Sequence, residues 1–134
     1  MKLRSQLRIV AALPLLGMAT ILNIAQVAAQ QTNCTNLPTT QAMLQCSGLE
    51  AEASDRKLNQ VYAQLSPKLA GQDRQRLVAA QQAWIKFRDA TCAYESGQFT
   101  GGTLAPVVEI SCLARVTRQR TQDLENYLQD VSHR

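Results

Sequence analysis

Residues 73–92 read DRQRLVAAQQAWIKFRDATC, and their less polar side chains recur at steps of three and four residues. That spacing places one stripe on a single face of an α-helix. Strand-like alternation is scarce in the rest of the chain, so no sheet is expected. The pattern therefore predicts an all-α fold, and the predicted inward stripe of this helix is Leu77, Ala80, Trp84, Phe87 and Thr91.

Two further helices are expected, one on each side of this stretch. The first is capped by Thr39 or Thr40, and Pro67 ends or kinks it before Gly71 closes the segment. The second helix then starts near Asp73, and the third near Pro106. The predicted inward face of the first helix is Ala51, Leu58, Tyr62, Leu65 and Leu69. That of the third helix is Leu113, Val116, Leu124, Tyr127, Leu128 and Val131. The predicted architecture is a three-helix, up-down-up bundle.

The N-terminus has the features of an export signal. Three basic residues precede an apolar run over residues 9–25, and the small residues Val27-Ala28-Ala29 follow shortly after it. A membrane anchor is the alternative, but the run is short and is interrupted by Pro14 and Gly17. We therefore expect residues 1–29 to be a cleaved signal peptide and residues 30–134 to form the exported domain, either secreted or periplasmic. No cysteine directly follows the run, so no membrane anchor is expected after cleavage.

The four cysteines, Cys34, Cys46, Cys92 and Cys112, all lie in the predicted exported part. An even number in a short exported chain indicates two disulfides rather than free thiols. Antiparallel helices bring all four to one end of the bundle, and that geometry permits all three pairings. We favour Cys34–Cys46 with Cys92–Cys112, because this pairing closes the shorter loops.

Charge and motif content exclude several classes of function. The formal net charge is +4, and loss of the signal peptide lowers it to about +1, too little for nucleic-acid binding. The single histidine, His133, is one residue from the C-terminus, so neither a Ser/His/Asp triad nor a Cys/His metal site is supported. Phosphate-binding and zinc-protease motifs are missing from the sequence. We therefore expect no enzyme, no cofactor and no metal.

Three charged residues fall on the predicted inward faces: Asp55, Arg88 and Arg120. Buried charges are costly unless they are paired. The spacing favours a buried polar network in which Asp55 pairs with Arg120, and Arg88 contacts neighbouring carbonyl groups or Asp55. The alternative is a pocket for an anion or a partner side chain, lined by the two arginines.

Three motifs carry a family resemblance. They are Asp55-x-x-Leu58-Asn59-x-x-Tyr62, then Ala80-Gln81-x-x-Trp84-x-x-Phe87-Arg88-Asp89-x-x-Cys92, then Cys112-Leu113-x-x-x-Thr117-x-x-Arg120-x-x-x-Leu124. Together with the glycine-rich connection Gly101-Gly102-Thr103, they resemble the lysozyme inhibitor LprI family from about Cys34 to Leu128. The resemblance implies a small exported helical protein with two disulfides, and inhibition of lysozyme for the type on which the family is founded.

If lysozyme is the partner, the interaction predicted from the sequence is steric occlusion of its glycan cleft. The candidate partner-binding loop joins the second and third helices, held by Cys92–Cys112, and consists of Phe99, Thr100, Gly101, Gly102 and Thr103. The alternative is that this loop is an ordinary helix connection. A rival function is that of a cell-envelope structural or stress-associated module that binds a different partner.

Overall fold

The computed structural model describes residues 33–134, which form three long α-helices and two short 3-10 turns. The helices are α1 (Thr40–Leu65), α2 (Gly71–Gly97) and α3 (Ala105–Ser132), and the 3-10 turns span Cys34–Asn36 and Ser66–Lys68. This part of the chain contains no strand, so the all-α prediction is confirmed. The predicted signal peptide, residues 1–29, lies outside the described residues.

The helix boundaries follow local sequence signals. The Thr39 side chain caps α1 by accepting a hydrogen bond from the Ala42 N–H at 3.1 Å. Pro67 lies in the 3-10 turn that ends α1, as predicted. The prediction for α2 was two residues late, because the helix begins at Gly71 rather than at Asp73. Gly71 has φ +51°, a backbone conformation that glycine adopts without steric cost.

Contacts between helices establish the up-down-up topology. Helices α1 and α3 run parallel, since Glu50 meets Arg118 near one end and Lys57 meets Glu125 further along both helices. Helix α2 runs antiparallel to α3, because its later part contacts the start of α3 and its earlier part contacts the middle. The two contacts that show this are Glu95–Arg115 and Gln81–Arg120. Helix α3 is therefore the central element, and it packs against both of the others.

Two apolar clusters fill the interior. The larger consists of Leu58, Val61, Leu65, Leu77 and Leu124. The smaller surrounds a disulfide and consists of Cys92, Cys112 and Val116. Trp84 packs against both clusters and so connects them.

Both predicted disulfides are present. Cys34 bonds to Cys46, and Cys92 bonds to Cys112, with Cα–Cα distances of 5.5 and 5.4 Å. The first joins the N-terminal 3-10 turn to α1, and the second joins the end of α2 to the start of α3. The Cys92–Cys112 bond is deeply buried, since its cysteines are only 1% and 2% exposed.

Three uncharged residues predicted to face inward are instead exposed: Ala80, Phe87 and Tyr127. Phe87 is 61% exposed. The inward line of α2 runs instead through Leu77, Trp84 and Cys92, with polar residues at intermediate positions. The prediction for α2 is therefore correct for Leu77, Trp84 and Thr91 and wrong for Ala80 and Phe87, because the helix turns polar side chains toward the bundle and leaves the Phe87 ring in solvent.

Candidate functional site

A groove of about 670 Å³ lies at the end of the bundle that holds the disulfides. We call it the disulfide-end groove. Its walls come from the N-terminal turn, the first half of α1, the end of α2 and the start of α3. Its lining residues are Asn33, Cys34, Thr35, Met43, Glu50, Glu95, Phe99, Leu104, Val107, Val108, Ser111, Cys112, Arg115 and Arg118.

The groove contains one residue of the predicted partner-binding loop and one neighbour that the sequence did not single out. Phe99 and Leu104 both line it, and their side chains remain 43% and 42% exposed. The other four loop residues are exposed but do not line it: Thr100, Gly101, Gly102 and Thr103. The apolar contact surface is therefore formed by the two ends of the α2–α3 connection rather than by its glycine-rich middle.

Hydrogen bonds within the connection hold it in shape. The Phe99 N–H donates to the Ser96 carbonyl at 2.9 Å, and the Gly102 N–H donates to the Phe99 carbonyl at 3.0 Å. The Thr100 hydroxyl donates to the carbonyl of Gly97 at 2.7 Å. Gly101 has φ +84°, so the turn requires glycine there. With the Cys92–Cys112 bond nearby, these contacts restrict the positions that Phe99 can take.

The charged residues along the disulfide-end groove are paired across helices. Arg115 Nη2 lies 2.6 Å from Glu95 Oε1, and Arg118 Nη1 lies 3.8 Å from Glu50 Oε2. Two cations and two anions leave this surface without an excess of either charge. Val107, which is 3% exposed, contributes to the apolar part of the lining. The arrangement suits an apolar side chain of a partner surrounded by polar contacts.

The predicted polar network differs from the one observed. Arg120 is buried as expected, but its Nε donates to Gln81 Oε1 at 3.0 Å and its Nη1 lies 3.9 Å from Asp123. Asp55 is not buried: its side chain is 55% exposed, and it lies 3.8 Å from Arg88. The predicted Asp55–Arg120 pair is therefore wrong.

A shift of one position along α1 explains this error. Ser54 takes the buried position, and its hydroxyl donates to the Glu50 carbonyl at 2.7 Å. Asp55 is thereby turned toward α2. Arg88 contacts Asp55 and also lies 2.8 Å from Asp89. Arg88 lines a groove between α1 and α2, whereas Arg120 lines neither that groove nor the disulfide-end groove, so neither of these two grooves is the predicted anion pocket.

Replacing Asp55 with alanine is expected to lower the free energy of unfolding by less than about 1 kcal/mol, because exposed ion pairs contribute little. Arg88 keeps its contact with Asp89 in this variant. Urea denaturation of the wild-type and Asp55→Ala proteins measures the difference. A loss of several kcal/mol would show that Asp55 belongs to a buried network after all.

Neither a metal centre nor a membrane span emerges from the described residues. No group of three or more His, Cys, Asp or Glu side chains within residues 33–134 is arranged to hold a metal ion. Across the same residues, no helix combines the length and the apolar character needed to cross a bilayer.

Comparison with known proteins gives one family and one relative. The family model described as "Lysozyme inhibitor LprI" matches residues 31–124. An uncharacterized protein of Rhizobium meliloti (strain 1021) is 27% identical over 101 residues, with 66% of this chain and 73% of that protein covered. No solved structure matches the chain significantly.

Proposed function

Because the chain belongs to the lysozyme inhibitor LprI family, we propose that it inhibits a lysozyme by covering the enzyme's glycan cleft with the exposed side chains that border its disulfide-end groove. The family supports lysozyme as the partner, and an inhibitor role fits a protein that binds rather than catalyses. The observation that carries the assignment to this surface is the pair Phe99 and Leu104, which stays exposed beside an apolar groove.

The energy of such an interface comes mainly from a few large side chains that a partner buries. Aromatic anchors near the centre of an interface commonly cost about 2 kcal/mol or more when truncated, on the order of a 30-fold loss of affinity. Phe99 is such an anchor. The loop hydrogen bonds and the Cys92–Cys112 bond already restrict its position, so binding costs less conformational entropy.

Export is part of the same proposal. The two disulfides suit an oxidising compartment, which for this chain means the periplasm or the exterior of the cell. A lysozyme inhibitor must also reach its target outside the cytoplasm. A signal peptide over residues 1–29 would direct it there, and cleavage after residue 29 would release the exported domain.

Replacing Phe99 with alanine is expected to raise the concentration needed for half-maximal inhibition by about 30-fold, because the anchor is lost. The chain offers a matched control in Phe87, which is also exposed but does not line the disulfide-end groove. Phe87→Ala should inhibit as well as the wild type. Lysis of bacterial cell walls, followed by turbidity, measures all three proteins against the same lysozyme.

A second variant distinguishes the role of the α2–α3 connection in inhibition from any role in folding. Deletion of residues 99–103 should abolish inhibition while the thermal melt still shows a folded helical bundle. Equal potency of the wild type, Phe99→Ala and the deletion variant would contradict the assignment of the binding surface. An effect of Phe87→Ala alone would instead place the interface on the outer face of α2.

A further inference from the structure

A second groove, of about 450 Å³, runs between α1 and α2. We call it the α1–α2 groove. It shares no lining residue with the disulfide-end groove, and the binding surface proposed above makes no use of it. Its volume is within the range of small-molecule sites, about 300–1,000 Å³. Much of its lining comes from the first two motifs that carry the family resemblance.

The apolar part of the α1–α2 groove consists of two aromatic rings and two aliphatic side chains. Trp84 and Tyr62 are half-buried, so part of each ring remains open to the groove. Val78 and Ile85 also line it and are 38% and 40% exposed. The Arg88 Cζ lies 5.2 Å from the centre of the Trp84 ring and helps to fix it in place. Aromatic rings held in this way offer flat apolar surfaces to a ligand.

Amide side chains provide the polar part of the lining. Asn59 on α1 and Gln82 on α2 both line the groove and are exposed. Gln81 also lines it, and its side-chain carbonyl oxygen accepts a hydrogen bond from Arg120 Nε at 3.0 Å. The amide NH₂ of Gln81 remains as a donor. The groove thus combines flat rings with several groups that can both donate and accept hydrogen bonds.

The charges in the α1–α2 groove argue against an anionic ligand. Arg88 contacts the carboxylates of Asp89 and Asp55, at 2.8 and 3.8 Å. Its positive charge is therefore already matched, and the three groups together carry a slight negative excess. A wholly apolar partner is also disfavoured, because it would bury the amides without hydrogen-bond partners. A neutral ligand that is rich in hydroxyl and amide groups meets both requirements.

We propose that the α1–α2 groove binds a chain of neutral N-acetylated sugars. The apolar face of a pyranose ring can lie on Trp84 or Tyr62, and its hydroxyls can pair with Asn59 and Gln82. The acetamido group supplies one further donor and acceptor for these amides, and its methyl group can contact Ile85. This site does not depend on lysozyme binding, since the proposed inhibitory surface is the disulfide-end groove.

The test uses tri-N-acetylchitotriose as the probe and the protein's own fluorescence as the readout. Trp84 is the single tryptophan of the chain and lines this groove, so a ligand that contacts the ring there changes its emission. Titration of the disulfide-intact protein should give a saturable change in intensity or wavelength. Maltotriose, a neutral trisaccharide without acetamido groups, should give no saturable change over the same concentrations.

Two pairs of variants locate the binding site. Asn59→Ala and Gln82→Ala should each weaken chitotriose binding by about tenfold, because each removes a hydrogen-bonding group. Gln60→Ala on α1 and Gln75→Ala on α2 are matched controls, since both amide side chains are exposed but do not line the groove. Both controls should bind like the wild type, and thermal melts verify that all four variants are folded.

Several outcomes would overturn the proposal. These are the absence of a saturable fluorescence change with chitotriose, equal binding of maltotriose, or the same affinity in the groove variants as in the controls. None of them bears on lysozyme inhibition, because lysozyme is not present in the titration. Sedimentation with purified peptidoglycan and with chitin then distinguishes the two polymers that carry this chemistry, and binding to neither would also contradict the proposal.

Discussion

Loss of the Cys92–Cys112 disulfide is expected to lower the free energy of unfolding by about 4 kcal/mol. On a chain-entropy model, closing a loop of this length contributes about 3 kcal/mol. The remainder comes from packing, because both cysteines belong to an apolar cluster with Val116. The Cys92→Ala/Cys112→Ala double variant measures the total by denaturation, and its melting temperature should fall by about 15 °C or more.

The other disulfide is the matched comparison. Cys34–Cys46 spans 12 residues rather than 20 and joins a short turn to α1 instead of joining two long helices. Its removal should therefore cost less, about 2–3 kcal/mol. An equal or larger effect from this pair would contradict the central structural role given to Cys92–Cys112. The Cys92/Cys112 variant should also inhibit more weakly while it is still folded, because the loop that carries Phe99 is no longer restrained.

Replacing Leu124 with alanine is expected to cost about 3–4 kcal/mol, typical of a large-to-small change at a fully buried site. Leu124 is 0% exposed and lies in the larger apolar cluster with Leu58, Val61, Leu65 and Leu77. Since α3 packs against both other helices, a cavity there weakens the whole bundle. Urea denaturation measures the loss of stability.

Leu49 provides the control for this change. It is 63% exposed on α1, so Leu49→Ala should alter stability by no more than about 0.5 kcal/mol. Similar losses in the two variants would show that the cluster around Leu124 is not the core. Leu124 does not line the disulfide-end groove, so Leu124→Ala should keep its inhibitory potency at temperatures where it remains folded.

The helices could be predicted because their sequence signals are local, and the disulfides because four cysteines allow only a few pairings. Leu58 and Leu65 lie at helical spacing on α1, Leu124 lies on the predicted inward face of α3, and all three are buried. The four cysteines allow few pairings, and the pairing with the shorter loops is the one formed. Capping by Thr39 follows from its hydroxyl and its place before the helix.

The polar interior could not be predicted in the same way. Ser47 and Ser54 take buried positions on α1, and the Ser47 hydroxyl lies 2.8 Å from that of Ser111 on α3. Small polar residues carry no hydrophobic signal, and the helical spacing between Ala51 and Leu58 predicts that Asp55, rather than Ser54, faces inward. Neither groove could be predicted from the sequence, because each is formed by side chains from separate helices.

The contribution of Leu104 to the disulfide-end groove was missed for a related reason. It follows the glycine-rich connection, where a single leucine has no periodic pattern to place it. Phe99 could be selected from the sequence because an aromatic residue among small polar neighbours is unusual. Only the fold shows that the two side chains line the same groove.

The proposed function of this protein is to bind and inhibit a lysozyme. The most direct measurement adds the purified, disulfide-intact protein to bacterial cell walls and follows turbidity during lysis by a panel of lysozymes. We predict protection that rises with protein concentration and saturates for at least one enzyme of the panel. Unchanged lysis by every lysozyme, at protein concentrations well above that of the enzyme, would contradict the claim.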